Sequence, residues 1–556
     1  TLQTNNGSLV FWANANGGTS GNIVFGDSDV FNTANGNTTQ TTGGGTIVFG
    51  GGSGAGNLPP GAVNTTAANA ISLGSQSWGS TVTTIYSGGG DISLNGTSSS
   101  STGDVVVWSR GGNFNAGAGN LTIVGNSTGT GNGIGIGYNS SVAYSLTAGG
   151  NITLSGTASS SGGAYGIYAY YQGGNITATG TGNINITGIA GASGHGLTLG
   201  YDATYHDFNF TSASGNITLT GTSSSSSGLV YYGGTVNSTA GGSILVNGTS
   251  STWVGYYQPT TVNYSSTTGN ITLIGKGGGG YHGMLLAGGN ITTTTGNVTI
   301  QGNQTAGQVG VYFNSGTTNI TTAGGSVTVN GTSVSYYGIY TDGVVNINTS
   351  QGSGGIVLNG TSTSSLGIYE NTNFNLASGA GAISVTGTAG GGNQGLYNYA
   401  GNISTTSGAI SLTGTSNSSY GLEMATSSAN ITSTSGNITL TGHTTSGTYG
   451  IYYLGTNISS AGNISLISDA ILQVNASVIA TGAGSAVLLK SNGSIVTSTG
   501  QTFQTNNGSL TFWSNANGGT AGGISLGTND SFYTNGAANQ QTGGGNITMG
   551  LSLIHI

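Results

Sequence analysis

The sequence predicts an all-β protein, a parallel β-helix (β-solenoid) with three short strands in each coil of about 26–33 residues. Three observations lead there. First, apolar anchors recur on a schedule: Ile217, Ile244, Ile271, Val298, Val327, Ile356, Ile383, Ile410, Ile438 and Ile464 are separated by 27, 27, 27, 29, 29, 27, 27, 28 and 26 residues. Second, side chains alternate after each anchor, as in Ile217-Thr218-Leu219, Ile271-Thr272-Leu273 and Ile438-Thr439-Leu440. That is the period of a half-buried strand. Third, 112 Gly, 3 Pro and only 3% charged residues among 556 depart far from globular averages. Disorder would explain the composition but not β-branched and aromatic residues placed at regular intervals.

The unit is clearest at Gly436-Asn437-Ile438-Thr439-Leu440-Thr441-Gly442, the first strand. The second begins Gly-Ile-Tyr, as at Gly338-Ile339-Tyr340, Gly367-Ile368-Tyr369 and Gly450-Ile451-Tyr452. The third carries Asn-Ile, as at Asn290-Ile291, Asn319-Ile320, Asn402-Ile403 and Asn430-Ile431. Gly221, Gly275 and Gly442 follow the apolar pair by two residues and are expected to mark a sharp turn with positive φ. One coil cannot bury its apolar pair, so its neighbours must complete the core. Coils stacked at about 4.8 Å would pile Ile and Leu inside and Thr and Ser outside, and about fifteen of them make a rod on the order of 70 Å.

Along the chain, residues 1–88 form a first module of short β-prone runs, including Leu9-Val10-Phe11-Trp12, Ile23-Val24-Phe25 and Ile47-Val48-Phe49, with Pro59-Pro60 in a Gly-rich loop. Residues 89–500 hold the short repeat, whose earlier anchors Ile92, Leu121, Ile152 and Ile184 are more widely spaced. Residues 501–550 return to the first module, as Gln504-Thr505-Asn506-Asn507-Gly508-Ser509-Leu510 matches Gln3-Thr4-Asn5-Asn6-Gly7-Ser8-Leu9. The offset is 501 and becomes 500 after one deletion, which implies a duplicated super-repeat. Residues 551–556 break the style and are expected to be a non-native tail. With Thr1 in place of an initiator Met, the chain is expected to be a piece of something longer.

Charge and cysteine content narrow the function classes. A net charge of −8 with 3 Lys+Arg (Arg110, Lys276 and Lys490, scattered) gives no electrostatic basis for binding nucleic acid or anionic membranes. Without Cys there is neither a disulfide framework nor a thiolate metal site. No apolar run reaches the roughly 18 residues of a transmembrane helix.

Repeats such as Gly-Asn-Ile-Thr-Leu-Thr-Gly-Thr resemble those of filamentous-haemagglutinin-type exoproteins and other giant bacterial surface adhesins. The resemblance covers nearly the whole chain, in repeat style. It implies a right-handed β-helix on a secreted or cell-surface rod.

Few residues offer chemistry. The acids are Asp27, Asp29, Asp91, Asp104, Asp202, Asp207, Asp342, Glu370, Glu423, Asp469 and Asp530. Polysaccharide cleavage on a β-helix needs paired carboxylates, or acids with bound calcium and a basic partner, on one face. Asp342 and Glu370 lie one period apart, yet no Lys, Arg or His accompanies them, and they read as solvated strand-end residues. His195, Asp202, His206 and Asp207 gather metal-ligand types but match no metal motif, so an irregular polar loop is the expectation. Gly-rich runs such as Gly277-Gly278-Gly279-Gly280 lack the Lys of a phosphate loop. Asn-X-Ser/Thr triplets such as Asn151-Ile152-Thr153 and Asn216-Ile217-Thr218 fit Asn stacking at coil corners.

The binding candidate is a tyrosine series. Tyr168, Tyr312, Tyr340, Tyr369, Tyr397 and Tyr452 each follow a Gly-apolar pair. Alternation turns them outward as an aromatic stripe, suited to sugars or a protein groove, while the plainer alternative is cross-coil packing without a ligand. The expected function is non-enzymatic: an adhesive or structural shaft outside a bacterial cell, without cofactor or metal, attaching to cells, surfaces, surface proteins or glycans. A self-associating sheath, surface-layer or biofilm-matrix protein is the alternative, with a carbohydrate-active enzyme third.

Overall fold

The computed structural model describes all residues except 55–57, 60, 75–81, 102–105, 110–111, 138–142, 160–162, 171–172, 203, 205–206, 426–429, 456, 519–521, 536–543 and 552–556, and the side chain of Tyr399. Pro60, Asp104, Arg110, His206 and most of the expected tail therefore lie outside the described residues. Two units are present, Thr1–Asn290 and Ile291–Ile556. Each is a stack of parallel strands with three strands per coil, and among the described residues the coils number about 18 and no helix occurs.

A representative coil of the first unit runs Ile217–Ser223, Leu229–Tyr231 and Gly234–Ser238. One of the second runs Val327–Ser333, Ile339–Thr341 and Val344–Thr349. Each strand pairs with its counterparts on the coils before and after, forming a long face of seven-residue strands, a short face and a third face. Ile217 lies beside Ile184 and Ile244, which identifies Ile184 as an anchor. Val327, Ile356 and Ile383 likewise stand in one row, although 29 residues separate the first two and 27 the others. Spare residues are absorbed in the turns.

The alternation expected of these strands is present. Ile217 and Leu219 are fully buried, and Thr218 and Thr220 half-buried. Burying each such Ile or Leu contributes about 1.5–3 kcal/mol, and the rows of anchors repeat that term coil after coil.

The glycines play a different part from the one expected. Gly221, Gly275 and Gly442 lie inside the long strands and do not have positive φ. A Cβ at these positions would overlap the carbonyl oxygens of Gly228, Gly283 and Gly450 respectively. The sheet of the short face passes so close behind the long strand that only a residue without a side chain fits.

The turn instead belongs to the serine that closes the strand. Ser223 Oγ donates to Gly194 O at 2.6 Å and accepts the N–H groups of Ser225 and Ser226 at 3.3 and 2.9 Å. In the second unit Ser362 Oγ donates to Tyr336 O and accepts from the Ser364 and Ser365 N–H groups. Outside, asparagines link coils: Asn120, Asn151, Asn183 and Asn216 Oδ1 accept the N–H groups of Asn151, Asn183, Asn216 and Ser243, at 2.8–2.9 Å. This is the corner role anticipated for the Asn-X-Ser/Thr triplets.

Among the described residues the two modules share several backbone features. In the first, Leu9–Ala13 pairs with Ile47–Gly51; in the second, Leu510–Ser514 pairs with Ile547–Leu551. Positive φ recurs at equivalent residues: 61° at both Asn6 and Asn507, 56° at Asn14 and 58° at Asn515, 64° at Ser28 and 62° at Asn529. Asn5 bridges Ala34 as Asn506 bridges Asn535. Phe11 meets Phe31 edge-on at 5.4 Å, and Phe512 meets Phe532 edge-on at 5.6 Å.

Candidate functional site

The short face of the second unit carries the tyrosines. Its strands begin at Val311, Ile339, Ile368, Leu396 and Leu422, all buried. The next residue on each therefore points outward. Tyr312, Tyr340, Tyr369 and Tyr397 are consecutive register partners, followed by Glu423 and then Tyr452. Five of the six expected residues thus stand in one row, with a carboxylate inserted before the last.

Ring geometry decides what the row presents. Tyr312 and Tyr340 are nearly parallel at 4.9 Å and 22°, and Tyr340 and Tyr369 at 5.4 Å and 14°. Tyr369 then meets Tyr397 edge-on at 5.1 Å. Parallel neighbours cover one another's faces, so the row offers ring edges and hydroxyls.

Polar groups trim the same edge. Tyr312 donates to Asp342 Oδ2 over a long 3.5 Å, Asn371 donates to Asp342 Oδ1 at 3.2 Å, and Tyr369 donates to Asn371 Oδ1 at 3.3 Å. Burial, and after it the Asp342 charge, pushes the Tyr312 phenol up to about 12. Burial chiefly raises Tyr340 too. Burial lifts the Glu423 carboxyl above the usual range, against a 2.8 Å hydrogen bond from Gln394 that favours its charged form.

Further tyrosines widen the row. Tyr337 lies 5.1 Å from Tyr340 and 5.0 Å from Tyr369, while Tyr420 and Tyr449 lie 5.3 and 5.0 Å from Tyr452. Each immediately precedes the glycine of a Gly-apolar pair, a signal present in the sequence but passed over.

Tyr168 departs from the expectation. It belongs to the first unit, where its register partners are Gly135 and Thr198, so no tyrosine row continues from it. It is only 8% exposed, stacked on Tyr165 at 4.3 Å and met edge-on by Tyr170 at 4.4 Å. Local aromatic neighbours cover it.

The other candidates are resolved by burial. Glu370 is not a solvated strand-end acid: it is 2% exposed and faces inward, whereas Asp342 is exposed. Glu370 is the third residue of its strand, and the alternation that sends Tyr369 out sends it in. The two carboxylates consequently do not share a face. His195 Nδ1 lies 2.8 Å from Ser226 Oγ and accepts the Ser227 N–H at 3.1 Å, tying the ring to the next coil. Burial lowers its pKa to about 4. Asp202 accepts the Thr204 N–H at 2.7 Å. Among the described residues no group of three or more His, Cys, Asp or Glu could hold a metal ion, and no helix is long and apolar enough to cross a membrane.

Compared with known proteins, the chain matches no family model, and no curated protein matches it in sequence.

Proposed function

We propose that the chain is a non-catalytic attachment shaft of a large exported bacterial surface protein, of the filamentous-haemagglutinin type. Its tyrosine row holds glycans or proteins of cell surfaces. The observation that carries this reading is the run Tyr312, Tyr340, Tyr369 and Tyr397 on consecutive coils, with hydroxyl edges outward and Asp342 and Asn371 beside them. Hydroxyls repeated at the coil spacing suit an extended partner that itself repeats polar groups. The separation of Asp342 from Glu370, and the scarcity of Lys and Arg, support a binding rather than a cleaving role.

The test is attachment to immobilised glycans and whole cells by the unaltered chain and by a Tyr340→Ser/Tyr369→Ser variant. At least a ten-fold loss is expected, with no reducing sugar released from the bound polysaccharide. Undiminished attachment by the variant would retire the reading.

A further inference from the structure

One place in the tyrosine row is taken by an acid. Glu423 points outward between Tyr397 and Tyr452, its register partners on the coils before and after. A glutamate side chain is shorter than a tyrosine, so its carboxylate lies lower than the phenols on either side, on the floor of a gap in the row. Gln394 donates to Glu423 Oε2 at 2.8 Å, and Oε1 carries no hydrogen bond among the described residues. Burial and that one neutral donor act on its charge, and among the described residues no Lys, Arg or His stands beside it. A half-buried carboxylate held only by an amide keeps an uncompensated charge.

The rings around Glu423 are set differently from those earlier in the row. Tyr312, Tyr340 and Tyr369 stack nearly parallel. Tyr420 and Tyr449 instead meet edge-on at 5.3 Å and 87°, while Tyr452 is tilted by 36° to Tyr420 at 5.3 Å and by 56° to Tyr449 at 5.0 Å. Rings at such angles do not cover one another's faces as stacked rings do. Tyr420 enters the same short strand three residues before Glu423, and burial, followed by the Glu423 charge, raises its phenol. All three tyrosines are half-buried and so remain within reach of solvent. The electron-rich face of an aromatic ring attracts a cation, and here three rings border one carboxylate.

We infer that Glu423, Tyr420, Tyr449 and Tyr452 form a site for a lysine side chain presented by a protein partner. The ammonium donates to Glu423 Oε1, and the methylene stem lies along the ring faces. Depth decides between the partners that carry an ammonium. Lysine bears it at the end of an apolar stem that reaches past the phenols to the floor of the gap. An amino sugar bears it directly on a hydroxylated ring, which would bring hydroxyls rather than methylenes against the faces. A quaternary ammonium has no N–H to give to Oε1. The chain's net charge of −8 favours the approach of a basic surface. As to the partner, the inference rests on the tyrosine row being an attachment surface, and it narrows that partner to a protein.

Saturation-transfer NMR on the full chain tests this, with Nα-acetyl-lysine methylamide as the probe and its Nε-acetylated form and glucosamine as comparisons. Saturation of the lysine ε-methylene protons is expected, and it should fall about five- to ten-fold in Glu423→Gln. Tyr420→Leu keeps the carboxylate and removes one ring, and should lose about two- to five-fold. The Nε-acetylated probe should bind no better to the unaltered chain than the lysine probe binds to Glu423→Gln. No saturation of the lysine probe by the unaltered chain would overturn the inference. Equal saturation by the unaltered and Glu423→Gln chains would do so too, as would stronger saturation of glucosamine than of the lysine probe. The Tyr340→Ser/Tyr369→Ser chain separates this site from the attachment reading: it should lose attachment yet keep the probe. Undiminished attachment by that variant counts against the row alone, and the probe result still decides the lysine site.

Discussion

Glu370 and Asn398 are register partners on adjacent coils, both buried inside their unit, and neither Glu370 Oε2 nor Asn398 Oδ1 receives a hydrogen bond. Thr341, the partner of Glu370 on the other side, has an equally unpartnered Oγ1. Three polar residues therefore stand in succession between Phe313 and Met424 in that inner column. A carboxylate could not remain charged there at acceptable cost, and burial holds the Glu370 pKa well above the ordinary range.

The pH dependence follows from that shift. The folded state keeps a proton that the unfolded chain loses above about pH 4.3. Stability from this site is therefore fullest at acid pH and falls as pH rises toward the folded pKa. Glu370→Gln removes the titration while nearly preserving shape. It should match the unaltered protein near pH 4 and exceed it at pH 8 by on the order of 1–3 kcal/mol. Denaturant midpoints at the two pH values measure this; a difference that does not change with pH would contradict the assignment.

His195 works in the opposite direction. Its pKa is about 4 when folded, because of burial, against about 6.5 unfolded. The unfolded chain binds the extra proton first, so stability present above pH 6.5 is lost as pH falls toward 4. The drop corresponds to at most about 3 kcal/mol. His195→Gln should flatten the decline between pH 6.5 and 4, and a slope equal to that of the unaltered protein would count against it.

Glycines separate by what lies behind them. At Gly221 a Cβ would overlap the Gly228 carbonyl, whereas at Gly280 nothing lies within 4 Å and φ is not positive. Gly221→Ala should force the faces apart and cost roughly 1–3 kcal/mol, as overpacking does. Gly280→Ala should stay within about 0.5 kcal/mol. Thermal unfolding of both variants checks the contrast, and equal losses would refute the close-approach explanation.

Much of the architecture was legible because each coil repeats one solution. Ile217, Ile244 and Ile271 announce their alignment by spacing alone, and Thr218 announces the outer surface. What was misread depended on neighbours outside the repeat. Gly221 looked like a turn residue because local chemistry cannot show that a second sheet passes behind it. Glu370 looked solvated because acids usually are, although alternation from Tyr369 already placed it inside. Tyr168 shares its local pattern with Tyr340 but not its flanking coils: Tyr340 has tyrosines on both sides, while Tyr168 has Gly135 and Thr198.

The constant register of the long face has a consequence for ancestry. Intervals of 32 and 33 residues between Ile152, Ile184 and Ile217 leave the pairing undisturbed, as do intervals of 29 and 27 between Val327, Ile356 and Ile383. Unequal recombination between repeats that removes or adds a whole coil would land each Ile beside another anchor and each strand-closing Ser at a corner. Gene length can then change in steps of one coil with the register kept, so the number of coils becomes a quantity that selection can adjust separately from the fit of each coil.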